Sequence, residues 1–236
     1  MIKTNKIKII ILSILLGTTF LYANIIRCTM INFSDFKKIE ENIYVENIFT
    51  DNENKHIQYL IKNAKKRIIN KFGELSSNPT IIIIKNPNTS LKYSTNLFGN
   101  THISPWGNYV VIGSKGHSID VIAHELLHAE VGKRLGYFIR QFKFPVWLEE
   151  GIGMQVDYRE QYIVKPINNS EIIRIQTLSS VDLFWTNSKE KNIKNYQGAK
   201  YIVDKILNKY PKKELFSLLL KIKNGSDIKD IFSIKN

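Results

Sequence analysis

Two histidines four positions apart, inside a predicted helix, constrain this 236-residue chain more than any other feature. They are His124 and His128, separated by Glu-Leu-Leu. The apolar pattern predicts a helix from about Ser118 to Leu135, with a good capping residue at its start and Gly136 as its stop. Residues four apart lie on one face of a helix. The fold must therefore bring two imidazole rings close together.

Two imidazoles on one helix face predict a metal site, and zinc (Zn²⁺) suits them. Zinc takes nitrogen ligands at about 2.0–2.1 Å in a tetrahedral shell. Glu125 lies about 100° around the helix from His124, so its carboxylate can serve as general base for a water that the metal activates. The alternative is that His124, Glu125 and His128 are ordinary helix residues. Because the chain has only five histidines, a chance match to this spacing is rare.

A catalytic zinc site has three protein ligands and one open position, so a third ligand must come from another segment. His117 precedes the predicted start of the helix, and His56 and His102 lie in distant segments. Better candidates are the acids Glu149 and Glu150, on a second predicted helix downstream. Spacing alone does not choose between these two.

The second helix carries the string Trp147-Leu148-Glu149-Glu150-Gly151. Together with the first motif, it resembles the gluzincin metallopeptidases, the clan of thermolysin-like enzymes and related aminopeptidases. Their His-Glu-x-x-His motif is followed roughly twenty residues on by Trp-Leu-x-Glu-Gly, whose Glu is the third ligand. Glu150 lies 22 positions after His128. The resemblance, which covers about residues 79–232, therefore implies that Glu150 binds the metal.

Two further, less specific sequence matches belong to the same resemblance. Tyr196-Gln197-Gly198-Ala199 resembles the context of a tyrosine that stabilises negative charge in the aminopeptidase-like members. The resemblance thus implies a catalytic role for Tyr196, and less so for Tyr201, with a core aromatic as the alternative. Asp157 stands where such members often carry an acid, and it could orient a ligand histidine. The Gly-x-Met-Glu-Asn motif that binds a substrate amino group is missing, so aminopeptidase activity is not implied.

The order of predicted elements favours an α+β domain, and the resemblance implies that it is a zincin-like metallopeptidase domain. Such a domain has a small mixed sheet, the His-Glu-x-x-His helix as active-site helix and a mainly helical C-terminal part. The strand Tyr109–Ile112 is expected at the sheet edge, where it could align an extended peptide. The other predicted elements are a helix at 52–72, a strand at 79–85, a long loop at 88–107, a helix at 146–158, a less regular stretch at 159–188, and helices at 193–209, 212–223 and near Asp227.

Residues 1–30 indicate a signal peptide or membrane anchor. Three lysines, the last of them Lys8, precede an uncharged apolar run at 9–26. Cleavage after Ala23 and a retained anchor both remain open, and the third possibility is a buried helix. The expected location is the cell envelope, either anchored and facing outward or secreted. Residues 31–50 are expected to be a connector, and residues 51–236 the peptidase domain.

The amino-acid composition limits the classes of partner that the chain is expected to bind. A formal charge of +13 comes from dispersed lysines without a compact basic patch or a nucleic-acid-binding motif, so no nucleic-acid partner is expected. Cys28 is the one cysteine, which excludes a disulfide within the chain and a cysteine-based zinc finger. The expected partners are a peptide or protein substrate and, through the N-terminal segment, a membrane.

These features predict a zinc-dependent peptidase that hydrolyses peptide bonds through a metal-activated water, with Glu125 as general base. One alternative is a catalytically inactive zinc-binding or interaction module anchored at the membrane. Another is a hydrolase on the same scaffold that acts on a non-peptide substrate. Neither alternative is excluded by the motifs alone.

Overall fold

The structure, a computed structural model, describes residues 23–211 and 214–232 and has an α+β fold. Within these residues five strands are present: β1 Phe36–Glu40, β2 Ile43–Glu46, β3 Thr80–Ile83, β4 Gly99–Ser104 and β5 Gly107–Ile112. They form one small sheet in the order β1-β2-β3-β5-β4. The three central strands are parallel, and the two edge strands are antiparallel to their neighbours. The sheet is therefore mixed, as the sequence analysis predicts.

The helices surround this sheet and form most of the C-terminal part. They are α1 Ala23–Thr29, α2 Asp51–Phe72, α3 Pro87–Tyr93, α4 Ile119–Leu135, α5 Tyr137–Phe142, α6 Val146–Gly153, α7 Asn169–Gln176, α8 Val181–Phe184, α9 Lys189–Leu207, α10 Leu215–Lys223 and α11 Ile228–Phe232. Short 3₁₀ turns occur at Ile31–Phe33, Met154–Val156 and Glu160–Tyr162.

The edge strand beside α4 differs from the expected one. The strand predicted at Tyr109–Ile112 is confirmed as part of β5, but its edge position is wrong because β4 pairs on its outer side. The sequence of β4 is Gly-Asn-Thr-His-Ile-Ser, and its buried polar residue Thr101 contacts Glu125 of α4. The loop predicted at 88–107 is also wrong where β4 and α3 form.

The expected connector at 31–50 contributes two strands to the sheet. In β2, the side chains of Ile43, Tyr44 and Val45 are buried, and the backbone pairs with β3 in parallel. A strand of four residues is too short to produce a clear alternating pattern, so the sequence analysis missed it. The connector prediction is therefore wrong for residues 36–46.

The helix predicted at 52–72 is confirmed as α2, and it packs with α4 against one face of the sheet. Thr50 and Glu53 form a capping box at its start, and Gly73 ends it with a positive φ of 99°. The strand predicted at 79–85 is confirmed as β3. These elements form the main hydrophobic core under the sheet.

The opposite face of the sheet is covered by the N-terminal elements. Cys28 and Ile31 are buried there, against Tyr44, Ile82 and Val111. Residues 23–30, which the sequence analysis included in the signal or anchor segment, thus pack on the domain in this structure. The rest of that segment, residues 1–22, lies outside the described residues. Among the helices of the described part, none combines the length and apolar character needed to cross a bilayer.

The C-terminal half follows the prediction for its long helices. The helix predicted at 146–158 is confirmed as α6 but ends at Gly153, and α9 begins four residues before the predicted start at 193. The predicted helix at 212–223 is present as α10, although residues 212 and 213 lie outside the described ranges. The short helices α5, α7 and α8 were not predicted, because so few residues hold too few periodic apolar positions.

Candidate metal centre

Helix α4 positions the two histidines of the motif. The side chain of Ser118 accepts a hydrogen bond from the backbone N–H of Val121 (3.3 Å), and Gly136 ends the helix as predicted. The rings of His124 and His128 are buried on one face, with their Nε2 atoms 2.8 Å apart. The structure therefore brings these two predicted ligands together.

Helix α6 brings Glu150 to the same point. One carboxylate oxygen lies 3.3 Å from Nε2 of His124, and the other lies 3.5 Å from Nε2 of His128. Two glycines allow this approach. An added Cβ at Gly151 would lie 2.6 Å from the carbonyl oxygen of Ala199 in α9. An added Cβ at Gly153 would lie 2.9 Å from the His124 ring. The close packing of α6 against α4 and α9 thus positions the carboxylate.

The geometry of these three side chains fits a metal ion. Ligand atoms of His124, His128 and Glu150 all lie within 4.8 Å of one another. In a tetrahedral zinc shell with bonds of about 2.0–2.1 Å, ligand atoms are about 3.3 Å apart, close to the distances observed here. Oε2 of Glu150 is buried, and although Nε2 of His124 lies 3.3 Å away, the two atoms do not have hydrogen-bond geometry. A buried carboxylate oxygen without a partner is expected to have one when the site is filled.

The charges of the centre also favour a cation. Burial raises the pKa of Glu150, but the neighbouring His128 and His124 outweigh this and hold the pKa well below its usual range. Burial lowers the pKa of His128, but the carboxylates of Glu150 and Glu149 outweigh this and raise it well above the usual value. The surrounding carboxylates thus stabilise positive charge at the point where the ligand atoms meet.

Sequence spacing does not show whether Glu149 or Glu150 is the third ligand. In the structure the two side chains occupy different places. Glu149 lies behind His128, with Oε1 3.3 Å from Nδ1, the ring nitrogen that points away from the centre. Arg140 donates from Nε to both oxygens of Glu149, at 3.0 Å each. Burial raises the pKa of Glu149, but Arg140 and His128 outweigh this and lower it. Glu149 is therefore placed to orient His128, and Glu150 to contact a metal.

Asp157 has the corresponding place behind His124. Its Oδ2 lies 3.8 Å from Nδ1 of His124, longer than a hydrogen bond, and its side chain is fully buried. Arg159 donates from Nε to both carboxylate oxygens, at 3.0 Å each. Each histidine is thus backed by a carboxylate that an arginine holds. The sequence analysis missed both arginines, because no spacing rule relates them to the motif.

We predict that Arg140→Gln weakens zinc binding by about 10- to 100-fold, the usual effect of losing a partner of a ligand histidine. Without Arg140, the buried Glu149 loses its charge partner and no longer holds the His128 ring in place. Competition with a chelating dye measures the affinity. The matched control is Arg174→Gln, which removes another arginine–glutamate pair, on α7. Equal zinc affinity in wild type and a folded Arg140→Gln variant would contradict this role.

Glu125 lies beside the histidines, where β4 passes over α4. Oγ1 of Thr101 is 2.7 Å from Oε2 of Glu125 and 2.9 Å from its carbonyl oxygen. An added Cβ at Gly99 would lie 2.7 Å from Cγ of Glu125, so the glycine makes room for this side chain. Burial raises the pKa of Glu125 above the usual value of a glutamate. A held, desolvated carboxylate of this kind is suited to accept a proton.

Tyr196, on α9, borders the same centre. Its ring packs edge-on against His124, with centroids 6.3 Å apart. Its hydroxyl accepts a hydrogen bond from Nε1 of Trp185 (3.0 Å), which leaves the O–H proton free to be donated. Burial raises the pKa of Tyr196 well above its usual value, so the phenol stays neutral. Tyr196 and the lesser candidate Tyr201 both pack against the hydrophobic core. Of the two, Tyr196 also lines the cleft next to His124.

The three other histidines lie outside the cluster. Nε2 of His117 is 3.0 Å from the carbonyl oxygen of Ile84, and Nε2 of His102 is 2.7 Å from that of Tyr93. His56 stacks on a tyrosine of its own helix, α2. The structure therefore does not bring these histidines to the candidate centre.

The centre opens into a cleft of about 1410 Å³. Its walls come from β4, from α4 and α5, and from the segment between α8 and α9. Glu125, Glu150 and Tyr196 all face this space together with the two histidines. Among known proteins, no family model and no curated protein matches the chain.

Proposed function

We propose that this protein is a zinc-dependent peptidase with a zincin-like domain of the gluzincin type. The observation that supports this most is the convergence of two Nε2 atoms and one carboxylate, within 4.8 Å of one another, at the wall of a large cleft. His124, His128 and Glu150 would hold the zinc ion. When bound, zinc would act as a Lewis acid that lowers the pKa of water and polarises the substrate carbonyl.

The residues around the centre have separate parts in the proposed reaction. Glu125 takes a proton from the attacking water and passes it to the nitrogen of the leaving amine as the peptide bond breaks. Thr101, by its hydrogen bond, holds the Glu125 carboxylate in one orientation. Tyr196 donates a hydrogen bond to the substrate oxygen as negative charge develops on it. Burial of these groups strengthens each of these electrostatic interactions.

The edge strand β4 is suited to bind the substrate backbone. Within the described part of the chain, β4 pairs with β5 on one side only, and its residues Gly99–Ile103 line the cleft. An extended peptide could add to this edge as another strand, with main-chain hydrogen bonds that do not depend on sequence. In this proposal β4 aligns the extended peptide substrate, a role that the sequence analysis assigned to the strand at Tyr109–Ile112.

The test is the zinc content and peptidase activity of the purified full-length chain in detergent or nanodiscs. We expect one zinc per chain, cleavage of members of a peptide library, loss of cleavage after treatment with a zinc chelator, and recovery when zinc is restored. A folded protein that binds zinc but cleaves no peptide would favour the inactive module. Zinc-dependent cleavage of esters alone would favour the non-peptide hydrolase.

A further inference from the structure

Large apolar side chains are exposed where the described chain begins. Ile26 in α1 and Met30 just after it are 39% and 49% exposed, and Phe33 in the next turn is 83% exposed. Ile26 and Met30 are four residues apart and share a face, while Cys28 between them is buried against the sheet. One side of this N-terminal segment therefore packs on the domain, and the other exposes the three apolar side chains beside Arg27, Thr29 and Asn32.

Trp106 extends the same apolar surface. It lies in the turn between β4 and β5 and is 62% exposed. Its Nε1 donates to Oγ1 of Thr29 (3.1 Å), which ties the indole to the end of α1. An indole with a bonded N–H and an exposed ring is typical of positions at a membrane–water interface.

A second apolar patch lies on α5. Phe138 and Phe142 are 69% and 73% exposed, and their rings stack with centroids 6.4 Å apart. Lys133 and Lys143 flank this pair in sequence, and both are exposed. Aromatic rings beside lysines form the usual pattern of a surface that meets lipid headgroups.

Both patches border the mouth of the candidate active-site cleft. Asn24 and Ile25 of α1 line this cleft, and so do Tyr137 and Arg140 of α5. The exposed residues Ile26 and Phe138 are therefore direct sequence neighbours of residues in the cleft wall. Both patches therefore lie next to the wall of this cleft, one on α1 and one on α5.

The sequence before α1 indicates what that surface is. The 22 residues before Ala23 include an uncharged apolar stretch from residue 9, preceded by three lysines. This stretch runs directly into α1, so a bilayer that held it would lie beside the first apolar patch. The charge of +13 would add attraction to anionic lipids.

We propose that the six residues Ile26, Met30, Phe33, Trp106, Phe138 and Phe142 form a membrane-facing rim, which rests on a lipid bilayer around the cleft mouth. The substrate class follows from this placement, and this second part rests on the proposed peptidase function. The cleft takes polypeptide segments within a few residues of the bilayer surface, where a membrane-bound protein leaves the membrane. A peptide free in solution reaches the same cleft less often.

Trp106 is a direct probe of the rim, because Trp147 is only 6% exposed and Trp185 is partly buried. The full-length chain is reconstituted in vesicles of phosphatidylcholine and phosphatidylglycerol, with and without bromine on the acyl chains. The emission lost in Trp106→Phe is taken as the Trp106 signal. We expect brominated lipid to quench this signal and aqueous iodide to leave it unchanged.

Two results would overturn the membrane-facing rim. Quenching of Trp106 by iodide and not by brominated lipid would place it in water. Protection from both quenchers would mean that protein covers it, as in an assembly with a second copy of the chain. Neither result depends on peptidase activity, so the rim is tested even if the proposed function fails.

The substrate class is tested with one cleavable peptide in two forms, free and attached to a lipid in the vesicle. We expect the lipid-attached form to be cleaved at least about tenfold faster at equal total concentration, because it is concentrated at the surface. The double variant Phe138→Ser, Phe142→Ser should reduce this preference without changing cleavage of the free peptide. Equal rates for both forms would overturn the inference and leave the peptidase function standing. No cleavage of either form would refute the proposed function and, with it, the substrate class.

Discussion

Glu125→Gln is expected to retain zinc and to lose most peptide hydrolysis. Glutamine has the same shape as glutamate and can still accept the hydrogen bond from Thr101, which lies 2.7 Å from the carboxylate. It cannot take a proton from water, and general acid–base catalysis contributes about 10²- to 10⁴-fold to such reactions. We therefore expect kcat to fall by at least about 100-fold. Steady-state kinetics and metal analysis on the same preparation measure both quantities.

A matched control for this variant is Glu160→Gln. Glu160 is exposed and lies in the lining of the same cleft, so its substitution removes the same charge without touching the centre. We expect it to leave kcat within about twofold of wild type, as surface substitutions usually do. Wild-type turnover in Glu125→Gln would refute the general-base role. If neither wild type nor variant cleaves peptides although both bind zinc, the inactive-module alternative is favoured.

Helix α4 could be predicted from sequence because its determinants are local. The cap at Ser118, the periodic apolar residues and the stop at Gly136 all lie within or next to α4. The histidine spacing likewise fixes a shared helix face before any tertiary contact forms. For such features the sequence contains the whole physical cause.

Other parts of the site depend on contacts between distant segments. Arg140 meets Glu149, and Thr101 meets Glu125, only because α5 and β4 pack beside the two motif-bearing helices. The edge strand β4 was not predicted for a similar reason, since its polar residue Thr101 is buried through a contact with the distant Glu125. These features have no local pattern, so they required the fold.

The choice between Glu149 and Glu150 is the sharpest case of this kind. Consecutive residues on a helix point about 100° apart, so only one of two adjacent acids can face the histidine Nε2 atoms. In the structure Glu150 faces them at 3.3 and 3.5 Å, and Glu149 faces Nδ1 of His128 instead. The two acids are therefore expected to respond differently to the same substitution.

We predict that Glu150→Gln lowers zinc affinity by more than about 100-fold, because it removes a direct ligand. Loss of a residue that only orients a ligand histidine has a smaller effect, about 10- to 100-fold. Glu149→Gln is the matched control. Its amide oxygen can take the place of Oε1, 3.3 Å from Nδ1 of His128, so we expect a loss of about tenfold. Zinc content after dialysis against graded chelator concentrations distinguishes the two variants, and thermal melting checks that both are folded.

The reverse result, with zinc retained in Glu150→Gln and lost in Glu149→Gln, would move the third ligand to Glu149. Such a move would require α6 to rotate by about 100°, against the packing of Gly151 on Ala199.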